Sequence, residues 1–395
     1  MLKKKSENGD KNRAPKRNIL IIAGEPSGDA RGAELVTQLK PLLNNVEFWG
    51  FGGDLMAEEG VEIVRHIRDL SMVGAVEIIH KLPEIFRHFR QIKTLVRERK
   101  PDMAILIDYP GFNLKVARFL NSVNIPVVYY IIPQVWAWGK NRLKKIKRFV
   151  KKALVLFPFE ETLLRDNGID CDFVGHPLAD SFIENSPGEE TPGDKNRPRI
   201  ALLAGSRKHE IDNILPIMLD AAEIIKAGGI YADFYLAESP NIPKETYDHF
   251  LSSHEGLAIK RFRADTAGTL RNCDMAVITS GTATLEGAMM EKPMVIVYKA
   301  SRITYLFYLL LSRIPFLGLV NIIAGKEIAP ELLQDKLSPD TLAKTVLKII
   351  KDPELSRKMK KDLRKVRLSL GEKGAAERAA RSILSLFLDL NNHSR

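Results

Sequence analysis

Residues 278–298 read ITSGTATLEGAMMEKPMVIVY. An apolar run is followed by a Ser-Gly-Thr-Ala-Thr junction, a stretch with helical spacing, and a second apolar run. This is the pattern of one βαβ unit, and the near-continuous apolarity of both runs predicts strands buried on both faces of a parallel sheet. The junction puts Ser280, Gly281, Thr282, Ala283 and Thr284 at the carboxyl end of a strand and the start of a helix. Unpaired amide groups and the positive end of the helix dipole suit an anion there.

The same alternation extends in both directions. Upstream, NILIIA (18–23), VEFWGF (46–51), MAILID (103–108), VVYYII (127–132) and ALVLFP (153–158) read as buried strands, most of them followed by amphipathic segments. One such segment carries Ile85, Phe86, Phe89, Ile92 and Val96 at helical spacing. A polar Pro/Gly-rich stretch, IENSPGEETPGDKNRPR (183–199), reads as a linker. Beyond it the pattern restarts with IALLAGS, ADFYLA, LAIKRF, MAVITS and MVIVYK, and ends in helical segments at 338–351, 353–368 and 374–388. The prediction is α/β: two Rossmann-like, doubly wound domains facing a cleft, over 18–182 and 200–337, with helices at 338–395 packing back on the first domain. Ligands of such sheets bind beyond the carboxyl ends of the strands.

Composition narrows the classes. With 395 residues, two domains are expected. A net charge of +11 calls for an anionic partner, and no nuclease or nucleic-acid-binding signature accompanies it. The two cysteines, Cys171 and Cys273, are far apart, which excludes a disulfide framework or a zinc site. Residues 1–17 are basic and lack the apolar core of a signal peptide, so a disordered tail is expected. Ile303 to Val320, the most apolar stretch, is broken by Arg313 and Pro315 and falls short of the roughly 20 residues a span requires.

Four junctions hold the candidate chemistry. AGEPSGDARGA (23–33) lacks the glycine spacing of a dinucleotide fingerprint, which argues against an NAD enzyme. It offers Glu25, Ser27 and Gly28 as ligand contacts; the plainer alternative is a tight strand-to-helix turn with Asp29 as its N-cap. IDYPGFN (107–113) ends a strand with Asp108, placed equally well to cap the turn or to act as a general base. AGSRKHEI (204–211) supplies Gly205 and Ser206 for close backbone approach and Arg207 for a phosphate. With SGTAT it makes two anion-directed loops in one sheet, as a diphosphate needs. Glu286, one turn into the next helix, is placed to accept ribose hydroxyls. His176 and His209 have no metal-ligand pattern, and no metal is expected.

GKNRLKKIKRFVKK (139–152) reads as a basic amphipathic helix: Arg142, Lys145 and Arg148 stand opposite Leu143, Ile146 and Val150. Trp136 and Trp138 precede it, and LSMVGAVEIIHKLPEIF (70–86) adds Val73, Val76 and Ile79. Together they suit an anionic membrane surface, although a solvated surface helix would look the same.

Taken together, AGEPSGDARGA, IDYPGFN, PQVWAWGKNRLKKIK, LFPFE, FVGHPLAD, LAGSRKHEI, SGTATLEGAMMEKPMVIVYK and NIIAGKEIAPELLQ resemble the lipid-A-disaccharide synthase family, bacterial glycosyltransferases of GT-B type. The resemblance runs in order from about residue 18 to 335. It implies transfer of 2,3-diacylglucosamine from UDP to the 6-hydroxyl of 2,3-diacylglucosamine 1-phosphate (lipid X), without a cofactor. It further implies that SGTAT cradles the UDP diphosphate, that Arg207 neutralises the leaving phosphate, that Glu286 and Asn321 bind the ribose or its neighbourhood, and that Asp108 is the base. A homodimer on the cytoplasmic face of the inner membrane of a Gram-negative-type bacterium is implied as well. The competing readings are another UDP-sugar enzyme of this fold, such as an epimerase or a transferase with a soluble acceptor, and an inactive nucleotide-sugar binder.

Overall fold

A computed structural model describes residues 17–43, 45–70, 82–133, 135–138, 140–180, 197–299 and 315–392. The expected tail lies outside them apart from Arg17, as do residues 183–196 of the expected linker and the positions Val73, Val76 and Ile79.

The described chain divides into two compact units, each built on a parallel sheet. In the first, β1 (Arg17–Ile22), β2 (Val46–Gly52), β3 (Glu62–His66), β4 (Met103–Ile107), β5 (Val127–Tyr130), β6 (Lys152–Val155) and β7 (Cys171–Phe173) lie in the order β3-β2-β1-β4-β5-β6-β7. In the second, β8 (Arg199–Leu203), β9 (Asp233–Glu238), β10 (Ile259–Arg263), β11 (Met275–Thr279), β12 (Met294–Tyr298) and β13 (Glu331–Leu333) lie in the order β10-β9-β8-β11-β12-β13. Strand order reverses between β1 and β4 in one sheet and between β8 and β11 in the other, so each unit has its ligand crevice at the carboxyl ends of those pairs.

Burial explains why the strands were readable. Every residue of β4 and of β11 is buried, because helices cover both faces. The edge strands β3, β7 and β13 are short and half-exposed, and their sequences EIVRH, CDF and ELL carry no apolar run. Arg199, placed in the linker by composition, is instead the first residue of β8, where its guanidinium pairs with Asp274.

The C-terminal helices divide differently from the expectation. The first unit comprises residues up to Val135, Gly139–Pro177 and the chain from Gly374; the second comprises Trp136–Trp138 and Leu178–Lys373. Helix Pro339–Lys351 buries Leu342, Ala343, Val346 and Ile349 against helix Lys208–Ala227 of the second unit. Helix Pro353–Ser369 packs on helix Ala283–Met289. Only helix Ala375–Asn392 packs in the first unit, on helix Pro26–Leu39. There Arg378 Nε donates to the Val174 carbonyl at 2.8 Å and Ser382 Oγ to Asp172 at 2.5 Å.

Candidate functional site

In the first unit the loops after β1 and β4 meet at the switch point. Asp108 and Tyr109 are both left-handed, with φ of 45° and 48°, a conformation that non-glycine residues rarely adopt. Asp108 follows the central strand β4 at the carboxyl end of the sheet, half-buried and within reach of the Glu25 charge. Burial, and then the Glu25 charge, push its pKa from 3.8 up to about 6, with the Tyr109 backbone amide partly opposing them. A carboxylate of that basicity is ionised at neutral pH yet accepts a proton more readily than an ordinary aspartate. The Tyr109 ring lies over Gly24, where an added Cβ would sit 2.3 Å from Tyr109 Cγ, so this glycine is a packing requirement. Glu25 and Ser27 are exposed at the crevice.

Asp29 does not cap its own helix. Its buried carboxylate accepts from the amides of Gly53, Leu55 and Met56 at 2.6, 3.2 and 3.2 Å, capping the helix Asp54–Glu58 across the unit. Gly28 is buried, and a Cβ there would sit 3.3 Å from Ala23 Cβ.

In the second unit, a cavity of about 320 Å³ opens at the carboxyl ends of β8, β9 and β11, lined by Gly205, Arg207, Glu238, Thr266, Thr282 and Glu286 among others. Gly205 has φ 117°, and a Cβ there would fall 2.4 Å from Glu210 Oε2. That contact explains the loop. Buried Glu210 accepts from the amides of Ser206 and Arg207 at 3.0 and 3.2 Å, and its other oxygen pairs with Arg207 Nη1 at 3.1 Å. The Ser206 and Arg207 amides are therefore occupied by the chain's own carboxylate. The exposed Arg207 guanidinium remains as the loop's cation.

The hydroxyl-rich junction sorts itself in the same way. Ser280 Oγ donates to the Leu317 carbonyl at 2.9 Å, and buried Thr284 Oγ1 donates to the Gly281 carbonyl at 2.8 Å. Both serve the loop's shape. Thr282 is exposed, makes no side-chain cap bond, and lines the cavity with Ser280 and Ala283. Gly281, at φ 156°, is extended in a way glycine allows. Glu286 is half-buried in the wall, and burial alone raises its pKa.

Asn321 does not reach this cavity's lining. It is fully buried, its amide donating to the Ala329 carbonyl and Glu331 Oε1, both at 2.8 Å, and its oxygen accepting from the amides of Ile328 and Ala329. With its hydrogen-bonding capacity spent on the fold, it ties the helix Leu319–Ala324 to β13. His176 is buried against Phe157, its pKa depressed to about 4 chiefly by burial and then by Arg31, so it is a neutral packing residue. His209 is exposed.

On the helix Lys140–Phe149, Lys144, Lys145, Lys147 and Arg148 are exposed while Ile146 is buried. Arg142 is half-buried, and its charge acts on the phenol of Tyr129. Trp136 and Trp138 lie on the short helix Val135–Trp138. Among the described residues no helix is long and apolar enough to cross a membrane.

A model of the lipid-A-disaccharide synthetase family matches residues 19–385, nearly the whole chain and both sheets. The chain belongs to this family. Among its relatives, the lipid-A-disaccharide synthase of Syntrophus aciditrophicus is 39% identical over 373 residues, covering 93% of this chain and 97% of that protein. Solved structures share the fold at low identity. A Listeria monocytogenes protein assigned as a UDP-N-acetylglucosamine 2-epimerase superposes with a TM-score of 0.64 at 14% identity, covering 95% of this chain and 97% of that one. A Rickettsia africae glycosyltransferase gives 0.56 at 14%, covering 95% and 99%. The architecture of this synthase-family chain is thus the GT-B type, two Rossmann-like sheets in one polypeptide.

Proposed function

We propose that the protein joins two acylated glucosamines. The anomeric carbon of the 2,3-diacylglucosamine of the UDP donor is attacked by the 6-hydroxyl of 2,3-diacylglucosamine 1-phosphate. The bond from that carbon to the UDP phosphate oxygen breaks as the new glycosidic bond forms, with inversion, giving a β-1,6 disaccharide 1-phosphate and UDP. The observation that carries this reading is family membership spanning residues 19–385 at up to 39% identity to named synthases.

The chemistry of the two crevices supports the assignment of roles. Asp108, with its pKa near 6, takes the proton of the attacking hydroxyl. In the second unit Arg207 balances the charge that grows on the departing diphosphate, as electrostatic stabilisation requires. Thr282 and the neighbouring amides meet the phosphates, and Glu286 accepts from ribose hydroxyls. Ser280 and Thr284 shape that loop.

The acyl chains of both substrates keep them at a membrane surface. Lys145 and Arg148, with Lys144 and Lys147 beside them, form the exposed cationic face that would hold anionic headgroups there. Association with the cytoplasmic face of the inner membrane and a homodimeric state belong to the same reading.

The deciding assay is UDP release from UDP-2,3-diacylglucosamine in mixed micelles, with and without the acceptor, the product weighed by mass spectrometry. Acceptor-dependent release with a tetraacyl disaccharide phosphate is expected. Release of a free or epimerised sugar without acceptor would overturn the transferase reading in favour of an epimerase.

A further inference from the structure

Two consecutive left-handed residues, Asp108 and Tyr109, end β4. Neither is glycine or asparagine, and Tyr109 is bulky, so the turn persists only where its surroundings over-determine it. Those surroundings converge on one atom. The Asp108 carbonyl oxygen accepts from Tyr129 Oη at 2.8 Å and from Asn113 Nδ2 at 2.8 Å, and the same Nδ2 donates to the Ile107 carbonyl at 3.1 Å. The Asp108 amide, in the preceding peptide unit, donates to the Tyr130 carbonyl at 3.0 Å.

Both donors are core residues with no solvent exposure. A buried phenol needs a partner, and the Tyr129 hydroxyl finds it in this carbonyl, just past the end of the neighbouring strand. Asn113 Oδ1 has no hydrogen-bond partner among the described residues. The side chain is thus retained for its donors at the expense of its acceptor.

We propose that Tyr129 is a positioning residue for the reaction: its hydroxyl, with Asn113, clamps the Asp108 peptide in the left-handed turn that aims the Asp108 carboxylate. The proposal rests on the reading of Asp108 as the base. Tyr129 touches no substrate and acts through the backbone of the residue that does. The charged and titratable groups around the pair are Glu25 beside Asp108, the Tyr109 phenol, and Arg142, whose charge acts on Tyr129.

Tyr129→Phe removes one oxygen and keeps the ring. Freed of one clamp, the carboxylate should lie off its productive position by a fraction of an ångström. Turnover then falls by about 10- to 100-fold, the scale of small misplacements. KM for both substrates and UDP affinity, which belongs to the second unit, should hold. The acid limb of the pH–rate profile should move down as the carboxyl leaves its buried place near Glu25.

A double-mutant cycle with Asp108→Asn separates positioning from general damage. Tyr129→Phe should lower kcat in the wild-type background and leave the residual rate of Asp108→Asn unchanged. Equal losses in both backgrounds, or wild-type kcat and pH profile in Tyr129→Phe, would overturn the proposal. Wild-type turnover in Asp108→Asn alone would instead remove the base reading on which it stands. If Tyr129→Phe fails to fold, Asn113→Ala removes the second donor to the same carbonyl and runs through the same cycle.

Discussion

Replacing Asp108 by asparagine should change activity and stability in opposite directions. The carboxyl titrates near 6 in the folded protein against 3.8 ordinarily. The native state therefore binds this proton more tightly than the unfolded chain does. Below about pH 4 the group is protonated in both states and contributes no difference. Between 3.8 and about 6 stability falls as pH rises, and above about 6 the full penalty of a half-buried, Glu25-facing charge is present. At 1.36 kcal/mol per pH unit the penalty is about 3 kcal/mol.

Asparagine keeps the shape and the interaction with the Tyr109 amide, removes the charge, and tolerates φ of 45° better than aspartate. Asp108→Asn should therefore raise the melting temperature of the first unit by about 6–12 °C at pH 8, at 2–4 °C per kcal/mol for a unit of this size. The gain should vanish near pH 4. Turnover should fall at least about 100-fold, the lower range for loss of a general base, with UDP affinity unchanged. Scanning calorimetry at the two pH values, beside the UDP-release assay, reads both. A variant no more stable than wild type at pH 8 would refute the burial argument, and a fully active one would refute the base.

The other consequences are local. Arg207→Ala should weaken UDP binding by about 10- to 100-fold in titration calorimetry, the value of a charge-assisted contact; an unchanged Kd would take the guanidinium away from the phosphates. Thr282→Val should lower UDP affinity more than Ser280→Ala, because both residues line the cavity but the Ser280 hydroxyl already donates to the Leu317 carbonyl. Asn321→Ala should destabilise the second unit by about 3–5 kcal/mol in urea unfolding, through its buried partners left unpaired. Binding of UDP by the folded fraction should survive, and loss of binding without loss of stability would restore Asn321 to the ligand. Lys145→Glu with Arg148→Glu should reduce cosedimentation with phosphatidylglycerol vesicles and leave that with phosphatidylcholine vesicles unchanged. Equal binding of variant and wild type to both would remove this helix from the membrane.

The central strands were legible because burial on both faces writes itself as an uninterrupted apolar run: MAILI and MAVIT can hardly be read otherwise. Of the edge strands, β10 was read from LAIKRF, but β3, β7 and β13 escaped because one side of each has no sheet neighbour, so nothing forces their residues to be apolar. The C-terminal helices were found, but the first two were assigned to the wrong unit, since an apolar stripe records that a helix packs without recording on what. The site follows the same division. Asp108 and Arg207 could be placed at the carboxyl ends of their sheets from position, because each follows a buried strand. The roles of Ser280 and Asn321 could not be read that way. Ser280 is spent on a carbonyl 37 positions away, and Asn321 on a strand whose own sequence, ELL, gave no sign of existing. A polar residue advertises only its capacity for hydrogen bonds. Whether that capacity reaches a ligand depends on which of its bonds the fold has already taken, and that is fixed by tertiary neighbours rather than by the spacing of a motif. At the opening Ser-Gly-Thr-Ala-Thr stretch, the fold takes the first and last hydroxyls and leaves Thr282 lining the cavity.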